Sequence, residues 1–291
     1  MDLKKFGLTL LCISSNSWAQ VSYIDYESPF HSTIGSSGMV VSQNQASSNI
    51  GIEVLNMGGN AVDAAVAVGF SLAVTLPRAG NIGGGGFMLV YLKNEQKTIA
   101  VDFRSAAPKN ISKDDYLFLK NNYDQRRYGY KASAVPGTVA GLLQTHKRFG
   151  NLPLKKILEP VIKQASSGIL VSYDLHHAIG SANQINLDQE SQKIYLNNGV
   201  PVKEDFLMKR PDLAWTIGEI AKHGEQAFYS GSIAKKIVDA MRKNDGYINL
   251  EDLKSYQPRF AEPIQTNYRN HKVLAHPPPA GGAAVLLEGL N

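Results

Sequence analysis

Asn81-Ile82-Gly83-Gly84-Gly85-Gly86-Phe87-Met88-Leu89-Val90-Tyr91-Leu92 is the segment that decides the fold: four consecutive glycines open an apolar strand. A polar turn at 93–97 and a second strand at 98–103 complete a hairpin. That second strand runs into Val101-Asp102-Phe103-Arg104-Ser105-Ala106-Ala107-Pro108, so an arginine stands at its end. Glycine lets another backbone or a small ligand come close. Arginine is the side chain best shaped to grip a carboxylate through two parallel hydrogen bonds. Together they predict a small-molecule carboxylate site built on a sheet, with Arg104 as the binding residue. Asp102 projects from the same strand face and is the competing structural partner for Arg104. The glycine run does not suit a nucleotide, because phosphate loops follow a strand and open a helix, whereas here a helix precedes and a strand follows. Close helix–sheet packing is the reading that remains.

Upstream, Met39-Val40-Val41 reads as a short strand. Ser42 to Asn44 then start a helix with Ala46, Ile50 and Val54 at four-residue spacing, ended by Gly58-Gly59. Asn60 caps a second helix over 61–76, with Asp63 in capping-box position. That helix is apolar on every side except Asp63 and Ser71, which predicts burial. It is too short and alanine-rich to span a membrane. Downstream, 105–131 reads as a polar loop with some helix. Pro136 marks a first turn, leading into a helix that runs to Phe149. Further helices are expected at Leu154–Ser167, Pro211–His223 and Ser232–Lys243. Residues 268–275 read as one strand, Pro277-Pro278-Pro279 with Gly281-Gly282 as an irregular turn, and 283–287 as the start of an apolar helix.

With 291 residues, 43% of them hydrophobic and 19% charged, the chain can bury a sizeable core and does not read as disordered. The net charge of +5 is scattered, with short clusters only at Arg126-Arg127 and Lys235-Lys236. No basic stripe interleaved with aromatics appears, so no nucleic-acid partner is expected. At the N-terminus, Lys4-Lys5, an apolar run over 6–13 and Ser17-Trp18-Ala19 have the order of a signal peptide, 1–19, cleaved after Ala19. The mature chain would be 20–291, periplasmic or secreted and without a membrane span. The single cysteine, Cys12, falls in the removed segment, which excludes disulfides, thiolate catalysis and cysteine-rich metal sites. The seven histidines have no metal-ligand spacing; His176-His177 are adjacent, and His271 and His276 flank a strand end. No Gly-x-Ser-x-Gly elbow is present.

Taken in order, these segments resemble the large subunit of γ-glutamyltranspeptidase, also called glutathione hydrolase. The matching text is Gly51-Ile52-Glu53-Val54-Leu55, Gly58-Gly59-Asn60-Ala61-Val62-Asp63-Ala64-Ala65-Val66-Ala67, the glycine run through Met88, and Asp102-Phe103-Arg104 with Ala107-Pro108. Pro136-Gly137-Thr138-Val139-Ala140-Gly141 and the triproline with Gly281-Gly282 continue it over essentially all of the mature chain.

The resemblance implies an α+β fold, a partial four-layer αββα sandwich of the N-terminal-nucleophile hydrolase type. It implies a precursor that cleaves itself, freeing the N-terminal threonine of a small subunit to attack a γ-glutamyl amide such as glutathione. A threonine hydroxyl activated by its own α-amine serves there as nucleophile. The γ-glutamyl ester then passes to water, an amino acid or a peptide. Arg104 stands at the family's donor-binding arginine, which holds the α-carboxylate of the γ-glutamyl group, and Asp102 would orient it. The mechanism needs no metal and no organic cofactor. The partners implied are γ-glutamyl compounds and the small subunit of the same precursor.

The departure is equally plain. No Thr-Thr-His processing motif or small-subunit text occurs, so no catalytic residue is assigned to this chain, and Thr138 belongs to a large-subunit motif. The oxyanion donors also come from the absent part. The expectation is an incomplete large-subunit portion, inactive alone, with sheet edges and apolar faces uncovered. Two alternatives stay open: a non-catalytic glutamate- or peptide-binding protein, and a related cephalosporin acylase or poly-γ-glutamate transferase.

Overall fold

The computed structural model describes residues 33–182, 185 and 188–291, so the expected signal peptide and Cys12 lie outside the described residues. The chain divides into two compact units, Met1–Gly38 and Met39–Asn291. Of the first, residues 33–38 are exposed and irregular. All regular elements described below belong to the second.

Asn44 starts α1 (Gln45–Asn56) by accepting hydrogen bonds from the Ala46 and Ser47 N–H groups. The strand expected at 39–41 does not form. Val40 instead lays its side chain on α1, where a β-carbon on Gly51 would stand 2.6 Å from its Cγ1. Asn60 and Asp63 close a reciprocal capping box on α2 (Ala61–Thr75), which is buried nearly all round. Its polar Ser71 is satisfied by other side chains: Ser47 Oγ at 2.8 Å and Gln164 Oε1 at 2.7 Å. β1 (Phe87–Leu92) and β2 (Lys97–Asp102) pair antiparallel as the expected hairpin. The segment after them carries α3 (Lys113–Asn121) and α4 (Tyr123–Arg127).

α5 (Thr138–Phe149) and α6 (Leu154–Ser167) pack on α2. Next, β3 (Ile169–Leu170), α7 (Tyr173–Ser181), α8 (Gln189–Tyr195), β4 (Leu196–Asn197), β5 (Val200–Pro201) and β6 (Leu207–Met208) form an annex. Its separate small core includes Val171, Leu175, Val202 and Met208. α9 (Pro211–His223) returns to α6, and α10 (Glu225–Tyr229), α11 (Ser232–Lys243) and α12 (Leu250–Lys254) complete the helical layer. α6 and α9 each stop at a glycine with positive φ, Gly168 at 96° and Gly224 at 62°.

β7 (Arg259–Ala261) adds to β2, giving a three-stranded sheet in the order β1-β2-β7. Met88, Val90 and Leu92 face the helices and join the main core. Phe87, Leu89 and Tyr91 face the other way and are 37%, 43% and 61% exposed. The described residues thus build one helical layer and one sheet layer of an α+β, αββα-type sandwich, with a partly exposed apolar row on the sheet's outer face.

Two expectations near the C-terminus are corrected. Residues 268–275 are not one strand: β8 (Ile264–Tyr268) and β9 (His271–Ala275) form a hairpin. The turn residues Arg269 and Asn270 have φ of 47° and 65°, the left-handed pair that suits the twist of a two-residue hairpin. Gly281-Gly282 do not lie in the irregular turn; they open α13 (Gly281–Leu290). No helix among the described residues is long and apolar enough to cross a membrane.

Candidate substrate-binding site

The glycine loop is a packing device. Phe103 and Gly86 exchange backbone hydrogen bonds of 3.0 and 3.2 Å, carrying the ladder past the end of β2. A β-carbon on Gly85 would meet Ser105 N at 2.5 Å. The Gly84 carbonyl accepts from Gly137 N at 2.7 Å and Thr138 N at 3.1 Å. The N-terminus of α5 is therefore spent on the loop, not presented to an anion. Thr138 is the first residue of that helix, inside the chain.

Arg104 follows directly. Its N–H donates to Asp102 Oδ1 at 3.0 Å, and its carbonyl accepts from Tyr256 Oη at 2.8 Å. The guanidinium sits 5.9 Å from the Phe87 ring centroid and forms no ion pair among the described residues. The competing structural reading is corrected here: Asp102 Oδ2 pairs with Arg259 Nη2 at 3.4 Å, so Asp102 touches Arg104 only through its backbone.

Arg104 lines a cavity of about 390 Å³ together with Asp102, Lys109, Asp252, Tyr256 and Arg259, among others. That size is within the range of small-molecule sites. Both acids are occupied: Asp252 accepts from Lys109 N at 2.9 Å and Asn249 N at 3.0 Å, as the cap of α12. The side chains of Arg104 and Lys109 carry no ion pair among the described residues. Three cations, Arg104, Lys109 and Arg259, line the cavity against two carboxylates that are already hydrogen-bonded, which suits it to an anionic ligand. The sequence gives no signal for Lys109, Asp252 or Tyr256, because no local pattern links them to residue 104.

Burial, and secondarily the Asp102 charge, push the Tyr256 hydroxyl up to about 12. Burial also drives the Tyr229 hydroxyl upward. Both therefore stay protonated donors at neutral pH. Because the folded value of Tyr256 lies above the unfolded value of about 10, its contribution is complete below about pH 10. It fades as pH rises to about 12. Melting temperatures between pH 9 and 12 are expected to fall less steeply in Tyr256→Phe than in the wild type; identical profiles would contradict this.

His176 Nδ1 lies 2.8 Å from the Val202 carbonyl, His177 stacks on Tyr173, and the His276 ring packs on Phe87 with centroids 4.4 Å apart. No group of histidine, cysteine, aspartate and glutamate among the described residues could hold a metal ion.

Fold and cavity together define a helix-and-sheet scaffold with a guanidinium at the cavity wall that has no ion pair among the described residues. The γ-glutamyltranspeptidase family model matches residues 47–291. The glutathione hydrolase proenzyme of Escherichia coli (strain K12) is 39% identical over 275 residues, 93% of this chain and 47% of that protein. Among solved structures, Helicobacter pylori γ-glutamyltranspeptidase matches with a TM-score of 0.82 at 37% identity, over 89% of this chain and 74% of that one. The Pseudomonas nitroreducens γ-glutamyltranspeptidase complexed with L-DON matches with a TM-score of 0.80 at 36% identity, over 86% and 73%. This chain belongs to the γ-glutamyltranspeptidase family. It spans about half the length of the curated relatives it matches, 47% in the Escherichia coli case.

Proposed function

We propose that this chain supplies the donor-binding part of a γ-glutamyl hydrolase and transferase, in which Arg104 holds the α-carboxylate of the γ-glutamyl group. The observation that carries this is a guanidinium without an ion pair at a cavity whose two acids are already engaged. A bidentate pair fixes the glutamyl head both in place and in angle. The γ-carbonyl then lies at a reach set by the glutamyl carbon chain, where a nucleophile can meet it in near-attack geometry.

That nucleophile is the N-terminal threonine of a small subunit from the same precursor, and its hydroxyl forms the γ-glutamyl ester while the amine leaves. Water, an amino acid or a peptide then takes the acyl group; glutathione and other γ-glutamyl amides are the donors. The partly exposed apolar row Phe87, Leu89 and Tyr91 supports a second sheet closing over this one, completing the sandwich. The charge–apolar–small order of residues 1–19 supports export to the periplasm or beyond.

Mixing the chain with the C-terminal half of the Escherichia coli glutathione hydrolase is expected to release p-nitroaniline from γ-glutamyl-p-nitroanilide, with neither part active alone. An assembled mixture that cleaves an acyl β-lactam in preference, or cleaves nothing, would count against the proposal.

A further inference from the structure

We infer that Tyr256 is a positioning residue that sets the aim of the Arg104 guanidinium. The inference rests on the reading of Arg104 as the carboxylate clamp and extends it to how that clamp is held.

Arg104 lies just past β2, one residue beyond the last backbone pair, Phe103 with Gly86. Nothing in the sheet fixes its peptide groups, and two side chains do so instead. The Asp102 carboxylate takes its N–H, and the Tyr256 hydroxyl donates to its carbonyl at 2.8 Å. Two hydrogen bonds on opposite ends of one residue set the direction in which a long side chain leaves the backbone. A long side chain magnifies small backbone rotations at its tip, and a shift of about 1 Å in a binding group costs up to roughly 10²-fold in rate.

Tyr256 is itself held from behind. Its ring stacks on Tyr229 of α10 at 5.9 Å between centroids and 8° between planes. The Tyr229 hydroxyl donates to the Pro136 carbonyl at 2.8 Å and accepts from Ala140 N–H at 3.1 Å, so it is fixed to the start of α5. Between these groups Gly137 leaves no free space: a β-carbon there would stand 2.1 Å from the Phe103 carbonyl and 2.2 Å from Tyr256 Oη. The start of α5, the stacked tyrosines and the end of β2 thus form one closely packed block, and the Tyr256 hydroxyl is its contact with Arg104. Tyr229 braces the block but does not touch Arg104, so the two hydroxyls make separable contributions.

The test titrates the full chain with L-glutamate, reading affinity from the Arg104 Nε–H resonance and neighbouring amides, with a thermal melt of each variant. Tyr256→Phe keeps the ring, the stack and the packing and removes only the donor. It is expected to weaken L-glutamate binding about tenfold, the scale of one neutral hydrogen bond, with the melting temperature close to wild type. Tyr229→Phe is expected to do the reverse, lowering the melting temperature more than the affinity, because it strands the buried Pro136 carbonyl. Arg104→Ala is expected to abolish binding.

If Arg104→Ala abolishes binding while Tyr256→Phe binds like wild type, the positioning role is overturned and the clamp stands. Equal losses of affinity and melting temperature in the two tyrosine variants would also overturn it, showing a purely structural stack. If Arg104→Ala binds like wild type, or the wild-type chain does not bind, the underlying reading of Arg104 fails instead.

Discussion

Asp63→Ala is expected to destabilise the chain by about 3–5 kcal/mol, the largest stability effect of any single truncation considered. Asp63 is 0% exposed. Its two oxygens accept from Asn60 N at 2.9 Å, from Asn151 N at 3.0 Å and from Leu152 N at 3.2 Å. His146 Nε2 lies 3.3 Å away, although it is closer to the Leu152 carbonyl at 2.9 Å, which requires a hydrogen on that nitrogen. One carboxylate therefore satisfies the start of α2 and the turn between α5 and α6 at once. Alanine would leave these part-buried donors without their acceptor, and a donor left unpaired where water reaches it poorly costs about 1–3 kcal/mol. A fall in melting temperature of about 10 °C is expected for a domain of this size. Asp63→Asn keeps one acceptor and is expected to lose less. A loss below about 1 kcal/mol in Asp63→Ala, measured by urea denaturation, would contradict the assignment.

Arg104→Ala should lower kcat/KM of the assembled enzyme for a γ-glutamyl donor by about 10²–10³-fold, the range for truncating one partner of a charged, hydrogen-bonded pair. The α-carboxylate does not change during acyl transfer, so the loss is expected mostly in KM. Arg104→Lys keeps the charge without the planar fork and is expected to fall between the two. Because the guanidinium makes no ion pair among the described residues, neither variant should shift the melting temperature appreciably. Activity of Arg104→Ala within threefold of wild type would contradict the assignment.

Much of the fold is legible where local chemistry is decisive. Asn60 and Asp63 announce the start of α2 because capping is a short-range effect, and Gly168 and Gly224 close α6 and α9 for the same reason. The strand expected at 39–41 fails because strands need partners, and Val40 finds a helix instead. The β8–β9 turn is hidden because Arg269-Asn270 carries no glycine, although asparagine tolerates the left-handed region.

The site divides in the same way. Arg104 stands out as a cation at a strand end, and the family resemblance gives it a role. Tyr256, 152 positions away, reaches it only after α10 and α12 have packed. Asp102 is legible as a neighbour of Arg104, whose N–H it accepts over two residues, but its pairing with Arg259 depends on β7 joining the sheet.

The most direct measurement is a crystal structure of the chain assembled with a small subunit and soaked in L-glutamate. Both α-carboxylate oxygens are expected about 2.7–2.9 Å from the Arg104 guanidinium nitrogens, in the parallel two-bond arrangement. Glutamate held by Lys109 or Arg259 instead, with the Arg104 side chain turned to bulk solvent, would contradict the clamp.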